Sequence, residues 1–358
     1  MKAIKIILVI AILLAVILTL VFCRKIFGVG YTAEIRNNEG EIISGSIASL
    51  EKVNLGGMEQ SILIRGYNQT NPILLWLHGG PGSSQMPIAH YYDEQLEKEF
   101  IMVHWDQRGA GKSNTADFNE KTMTYDQFIA DGHQLTEYLK NRFGKEKIYL
   151  IGHSWGSQLG LELVDRYPGD YYSYIGVSQV VDNVLHNMIA YPWLLEQIKK
   201  TGTKKDLKKL EELGEPPFTE HKEYIKFVQL VDAYGGGFDL EFKKLFWISL
   251  QAPEYNLKDY WAWMQGSNRG SGPMWKESEY SSFNALKNMP TVNIPIYFFS
   301  GEKDYNTPLQ AVEKYYQNLD APKGKKLIIF KESGHTPFLA EPQKFNQELI
   351  RVKEETFN

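Results

Sequence analysis

Lys147-Ile148-Tyr149-Leu150-Ile151 runs straight into Gly152-His153-Ser154-Trp155-Gly156, and this junction decides the fold. A short apolar run of this kind reads as a buried strand. A G-x-S-x-G directly after it marks a chain that leaves a strand, turns sharply and enters a helix, which presents the serine hydroxyl as a nucleophile. The two glycines are needed because neighbouring backbone passes close to the turn. The helix is supplied by Ser157 to Tyr167, where Leu159 and Leu163 stand four apart and Pro168 is the stop signal. Ser154 is therefore expected to be a nucleophile and not a residue of an ordinary tight turn.

A serine hydroxyl does not ionise usefully near neutral pH, so it needs a histidine base and an acid to orient that base. In an α/β-hydrolase arrangement both follow the serine in sequence. Both are present in that order. Ile294 to Ser300 reads as a buried strand, and Gly301-Glu302-Lys303-Asp304 follows at its carboxyl end, where such folds carry the acid on a loop. Asp304 is the expected acid, and Glu302 on the same loop is its competitor. After a further apolar strand, Lys326 to Phe330, comes Glu332-Ser333-Gly334-His335-Thr336-Pro337-Phe338, a histidine on a glycine-containing loop ahead of a C-terminal helix. His335 is the expected base. The oxyanion of a tetrahedral intermediate also needs N–H donors, usually the amide after the nucleophile and one from a loop after an early strand. Ile73 to Leu77 is that strand and His78-Gly79-Gly80-Pro81-Gly82 the loop, so the amides of Gly80 and Trp155 are the expected pair, with Gly79 able to replace Gly80.

Three stretches together, His78-Gly-Gly-Pro-Gly82, Asp106-Gln-Arg-Gly-Ala-Gly-Lys-Ser113 and Gly152-His-Ser-Trp-Gly-Ser157, resemble the signatures of the proline iminopeptidase (prolyl aminopeptidase) family of α/β-hydrolases. The resemblance extends from about Ser61 to Lys353 and is weak between about Asp182 and Pro290. It implies Ser154, Asp304 and His335 as a triad and Gly80 and Trp155 as the oxyanion hole. It also implies release of an N-terminal residue, often proline, from small peptides without metal or organic cofactor. Dehalogenase and epoxide-hydrolase chemistry on this fold needs an aspartate nucleophile, which Ser154 excludes.

Gly111-Lys112-Ser113 resembles the end of a phosphate-binding P-loop, but that motif requires a glycine where Asp106 stands, so no nucleotide is expected. The alternatives for Asp106 and Arg108 are a pair bracing the loops around the site and a purely structural role. The chain has a formal net charge of −4 and no basic run longer than a pair such as Lys199-Lys200 or Lys204-Lys205, so no nucleic-acid partner is expected.

Ile6 to Phe22 carries no charge and lies at the short end of a membrane-spanning helix. Leu20-Val21-Phe22-Cys23-Arg24 offers bulky residues where a signal peptide would end in a small-x-small site, and Phe22 is wrong for lipid processing at Cys23. An uncleaved N-terminal transmembrane anchor is expected, with the catalytic domain outside the cell. Lys2 and Lys5 nearly balance Arg24 and Lys25 across it. Cys23 is the sole cysteine, so the catalytic domain has no disulfide.

The expected architecture is an α/β-hydrolase fold with a mostly parallel central sheet, helices on both faces and an inserted helical cap, preceded by the transmembrane helix. Residues 1–30 form the anchor, 31–181 and 291–358 the core, and 182–290 the cap. Thr32 to Gly66 alternates short apolar and polar runs with Gly turns, which suggests antiparallel strands leading the sheet. The cap stretch is rich in aromatics, and Gly235-Gly236-Gly237 is either a flexible joint or a plain loop within it. In the family resembled, cap acids hold the substrate ammonium, commonly near Trp-x-x-Trp-Glu. Trp261-Ala262-Trp263-Met264-Gln265 departs from that spacing and puts glutamine where glutamate is wanted. Asp232, Glu254, Asp259, Glu277 and Glu279 remain as candidates to bind the ammonium. Three functions stay open: a membrane-anchored serine aminopeptidase of proline iminopeptidase type, a carboxylesterase or other acyl hydrolase acting on an uncharged ester, and a non-catalytic surface binding protein.

Overall fold

The computed structural model describes residues 7, 9–10, 12–17, 19, 23, 28–116 and 118–357. Its centre is one eight-stranded sheet. Strands β1 (Ile47–Leu55) and β2 (Met58–Gly66) form a hairpin in which Leu55 faces Met58. The linking Gly56 and Gly57 both adopt positive φ, 56° and 75°, the backbone that a tight twisted hairpin demands and that side-chain-bearing residues resist. Next come β3 (Ile73–Leu77), β4 (Ile101–Asp106), β5 (Ile148–His153), β6 (Tyr171–Val177), β7 (Ile296–Gly301) and β8 (Lys325–Phe330). The order is β1-β2-β4-β3-β5-β6-β7-β8, with β1, β2 and β4 antiparallel neighbours and every later pairing parallel.

Every residue of β3, β4, β5 and β7 is buried, because helices cover both faces of the sheet. Successive side chains feed opposite layers. Leu75, Leu77, Val103, Leu150 and Phe298 pack with α1 (Tyr125–Phe143), α2 (Trp155–Arg166) and α8 (Leu309–Asn318). Leu74, Trp76, Met102, Ile151 and Phe299 pack with α9 (Pro342–Thr356) on the other side. Between β6 and β7 the chain forms α3 (Asn183–Thr201), α4 (Lys204–Leu213), α5 (His221–Ala233), α6 (Phe242–Ser249) and α7 (Leu257–Met274). Helices α3, α4 and α5 close on a core of their own around Leu194, Leu210, Phe227 and Val231.

The strands expected from the apolar runs are present, while β6, which follows the turn Pro168–Asp170, is a strand the sequence reading did not single out. The expected membrane span Ile6–Phe22 lies partly outside the described residues. Among the described residues no helix is long and apolar enough to cross a membrane.

Candidate active site

The turn after β5 is steric in origin. Ser154 sits at φ 54°, ψ −122°, a backbone that an L-residue rarely adopts, and Trp155 opens α2 immediately after it. A Cβ on Gly152 would lie 2.2 Å from the Gly156 carbonyl oxygen, and one on Gly156 would lie 2.2 Å from the Leu77 carbonyl oxygen. The two glycines therefore let the strand-to-helix reversal close against itself and against β3.

His335 reaches this turn from the loop after β8. Its Nδ1 lies 2.8 Å from Asp304 Oδ2. The carboxylate also accepts from the amides of Asn306 (2.8 Å) and Thr307 (2.9 Å) on Oδ1, and from the Thr307 hydroxyl (2.7 Å) on Oδ2. Burial works to raise the Asp304 pKa, but His335 and these donors outweigh it and hold the carboxyl below its ordinary value. An ionised Asp304 fixes the proton on His335 Nδ1 and leaves Nε2 as the basic nitrogen. Burial works to lower the His335 pKa, but Asp304, with help from Asp232 and Asp239, carries it above the ordinary 6.5. Glu302 is exposed, and it is Asp304 that meets the imidazole.

The other face of the site is a chain of neutral donors. Trp76 Nε1 donates to Gln85 Oε1 (2.6 Å), and Gln85 Nε2 donates to His153 Nδ1 (2.8 Å). His153 Nε2 donates to the His335 carbonyl (2.8 Å). Burial, reinforced by His335, pushes the His153 pKa down to about 3, so this ring stays neutral and serves as a strut. Gly79 and Gly80 line the cavity with Ser154, His335 and Trp155. A Cβ on Gly79 would come 3.2 Å from Ser154 Cβ, and Gly80 has φ 112°. The Trp155 amide is the first of its helix and has no intrahelical partner.

The cap grips the two loops that carry Asp304 and His335. The Gly237 carbonyl accepts from His335 N–H (2.8 Å) and the Gly236 carbonyl from Tyr305 N–H (2.7 Å). Asp239 accepts from the amides of Gly334 (2.5 Å) and Thr336 (2.8 Å) and from the Thr336 hydroxyl (2.9 Å). The Gly235–Gly237 stretch is thus a clasp pinned to the core. Sequence reasoning missed Asp239, and its nearness to the triple glycine was the one available signal.

The cavity between core and cap has a volume of about 910 Å³ and contains Ser154 and His335 on one side and Asp232 on another. Asp232 Oδ1 accepts from Asn306 Nδ2 (3.0 Å), and burial raises its pKa against the lowering effects of Asn306 and His335. The other four acid candidates are absent from the lining. Asp259 forms the N-terminal capping box of α7 and pairs with Lys112 at 2.6 Å. Glu277 precedes a short helix and accepts from the Tyr125 amide, Glu279 meets Ser278 at the surface, and Glu254 is buried outside the cavity. Asp239 and Glu241 do line it.

Asp106 and Arg108 do not pair with each other. Arg108 forks onto the buried Asp131 through Nε (2.9 Å) and Nη2 (3.1 Å), while Asp106 accepts from Ser84, from Tyr255 (2.5 Å) and from the Lys112 amide (2.7 Å). Among the described residues, one trio could offer metal ligands, His133, Glu137 and Asp170; the Lys140 ammonium already bonds both of its carboxylates.

This geometry defines a class, and the comparisons with known proteins agree with it. Residues 72–342 match the α/β-hydrolase fold family. The chain is 34% identical over 311 residues to a probable aminopeptidase, YbaC, of Bacillus subtilis, covering 86% of this chain and 96% of that protein. It is 24% identical over 286 residues to a proline iminopeptidase of Heyndrickxia coagulans, covering 76% and 87%. The crystal structure of the Mycobacterium smegmatis proline iminopeptidase superposes with a TM-score of 0.61 at 18% identity, covering 86% of this chain and 98% of that one. The chain belongs to the α/β-hydrolase family and is a serine hydrolase similar to the proline iminopeptidases.

Proposed function

We propose that this enzyme is an aminopeptidase of proline iminopeptidase type, working through an acyl-enzyme on Ser154. His335 Nε2 takes the hydroxyl proton as Ser154 Oγ attacks the scissile carbonyl, and the Gly80 and Trp155 amides hold the resulting oxyanion. The proton then passes to the leaving amine, and water, activated by the same imidazole, releases the acyl group. Asp304 keeps the imidazole in the right tautomer throughout. Asp232 pairs with the ammonium of the substrate's first residue. The observation that carries the reading is one cavity holding Ser154, His335 and a cap carboxylate, Asp232, that accepts a hydrogen bond from the neutral Asn306 amide. An acyl hydrolase acting on neutral esters is the second reading, favoured by the apolar lining of Phe238, Phe242, Leu245, Trp263 and Met264.

In the same reading residues 1–30 anchor the enzyme in the cell membrane with residues 31–181 and 291–358 as catalytic core and 182–290 as cap on the outer side; the uncharged Ile6–Phe22 stretch supports this. Parallel kcat/KM measurements of the full chain on amino-acyl arylamides and short-chain aryl esters test the assignment. Preference for free-amine arylamides upholds it, and preference for esters with indifference to N-acetylation overturns it.

A further inference from the structure

Helices α6 and α7 carry an apolar surface that faces away from their own packing. Phe242, Trp247 and Trp261 are 66%, 69% and 63% exposed, and Leu257 and Met264 are exposed beside them. On α7, Leu257, Trp261 and Met264 recur at the four- and three-residue spacing of a single helical stripe. Lys243, Lys244 and Lys258 are exposed on the same two helices, against one exposed acid, Glu241, while Asp259 is paired with Lys112. The inward faces tie the helices together: Ile248, Ser249 and Tyr260 are buried, and the Tyr260 hydroxyl donates to the Ser249 carbonyl at 2.5 Å.

The chain arriving from the apolar N-terminal segment is stitched to the turn between these helices. Tyr31 N–H donates to the Pro253 carbonyl (3.1 Å), and Asn256 Nδ2 donates to the Gly28 carbonyl (2.9 Å). A Cβ on Gly30 would lie 1.9 Å from the Glu254 carbonyl oxygen, so the backbones are in close contact. At no more than about 3.5 Å per residue, the chain from Phe22 to Gly28 spans at most roughly 20 Å. Whatever Ile6–Phe22 inserts into is therefore close to the α6–α7 face.

We propose that this face docks on the surface of an anionic lipid bilayer, an inference that rests on the membrane-anchored reading above. Tryptophan and phenylalanine mixed with lysine on a helix face is the composition that settles at the headgroup boundary, with the rings in the upper acyl region and the ammonium groups on lipid phosphates. A second copy of the chain is a poorer occupant, because a two-fold interface would set the same lysines against each other. Phe242 and Met264 belong both to this face and to the lining of the Ser154 cavity, so the mouth of the cavity opens on the docked side.

The test uses the full chain reconstituted into vesicles of phosphatidylcholine and phosphatidylglycerol, the former brominated near the top of its acyl chains. Flotation after alkaline carbonate washing reports the anchor, and bromine quenching of tryptophan fluorescence reports docking. The expected result is a floating wild type with quenched emission and a floating Trp247→Phe/Trp261→Phe variant that loses most of the quenching. A Lys243→Glu/Lys244→Glu/Lys258→Glu variant should float and also lose it. If wild type floats and its quenching equals that of the tryptophan variant, or does not respond to the lysine reversals, docking is overturned while the anchor stands. Cross-linking of two copies through α6 with no quenching would overturn it in favour of self-association. A chain that fails to float removes the anchor and docking with it.

Discussion

Replacing Asp232 by asparagine is the perturbation that most sharply separates peptidase from esterase. The substitution keeps the shape and an acceptor for Asn306 Nδ2, which now bonds Oδ1 at 3.0 Å, and removes only the charge. If that charge holds a substrate ammonium inside the cavity, losing it leaves a desolvated cation without a partner. Breaking a buried pair in this way costs about 3–5 kcal/mol. Asp232 is half-buried and keeps some access to water, so the lower end applies, and at about 1.4 kcal/mol per factor of ten the loss in kcat/KM is on the order of a hundredfold. The loss should be confined to substrates with a free amine. Steady-state kinetics on matched pairs, an amino-acyl arylamide with its N-acetyl derivative and an aryl ester of similar size, give the ratio directly. Asp232→Asn should compress that ratio roughly a hundredfold while the ester rate moves little, and Glu241→Gln should leave the ratio near wild type. An unchanged ratio in Asp232→Asn would refute the reasoning, and Glu241→Gln behaving as expected for Asp232 would reassign the carboxylate.

Ser154→Ala should abolish both turnover and fluorophosphonate labelling with no change in circular dichroism, and residual labelling would remove Ser154 from its role. Asp304→Asn should lower kcat by several orders of magnitude, on the order of the ten-thousandfold seen when a triad acid is neutralised, while Glu302→Gln stays near wild type; the reverse pattern would exchange the two acids. The base must be neutral to act, and three carboxylates raise the His335 pKa above 6.5, so the acid limb of the kcat/KM profile should fall above that value. Asp239→Asn removes one of those negative charges and should move the limb to lower pH; a limb that stays fixed while only kcat drops would reduce Asp239 to loop packing. Arg108→Met strands the buried Asp131 carboxylate and should cost about 3–5 kcal/mol in urea unfolding, whereas a loss under about 1 kcal/mol would mean that Gln60 and Gln127 suffice to satisfy it.

Local sterics and periodicity carried the sequence a long way. Gly152, Ser154 and Gly156 specify a strand-to-helix reversal because only glycine tolerates carbonyl oxygens 2.2 Å from the place of a Cβ, and that constraint is written in five consecutive residues. The strands were legible as apolar runs since a parallel sheet covered on both faces needs no alternation. Asp304 and His335 were legible as residues on loops after such strands, in the order the topology requires. Which carboxylates face which partners was a different matter, because side chains that meet across the fold come from distant segments brought together by the packing of whole layers. Asp304 and Glu302 share a loop, and the direction each side chain leaves it decides which one meets the imidazole. Arg108 turns to Asp131 on α1 instead of the adjacent Asp106. Of the five candidate acids in the cap, α5 and the Gly235–Gly237 clasp carry only Asp232 into the cavity, joined there by Asp239 and Glu241, which the sequence had not marked. Short-range rules name the residues able to do chemistry; long-range packing selects the ones that share a site.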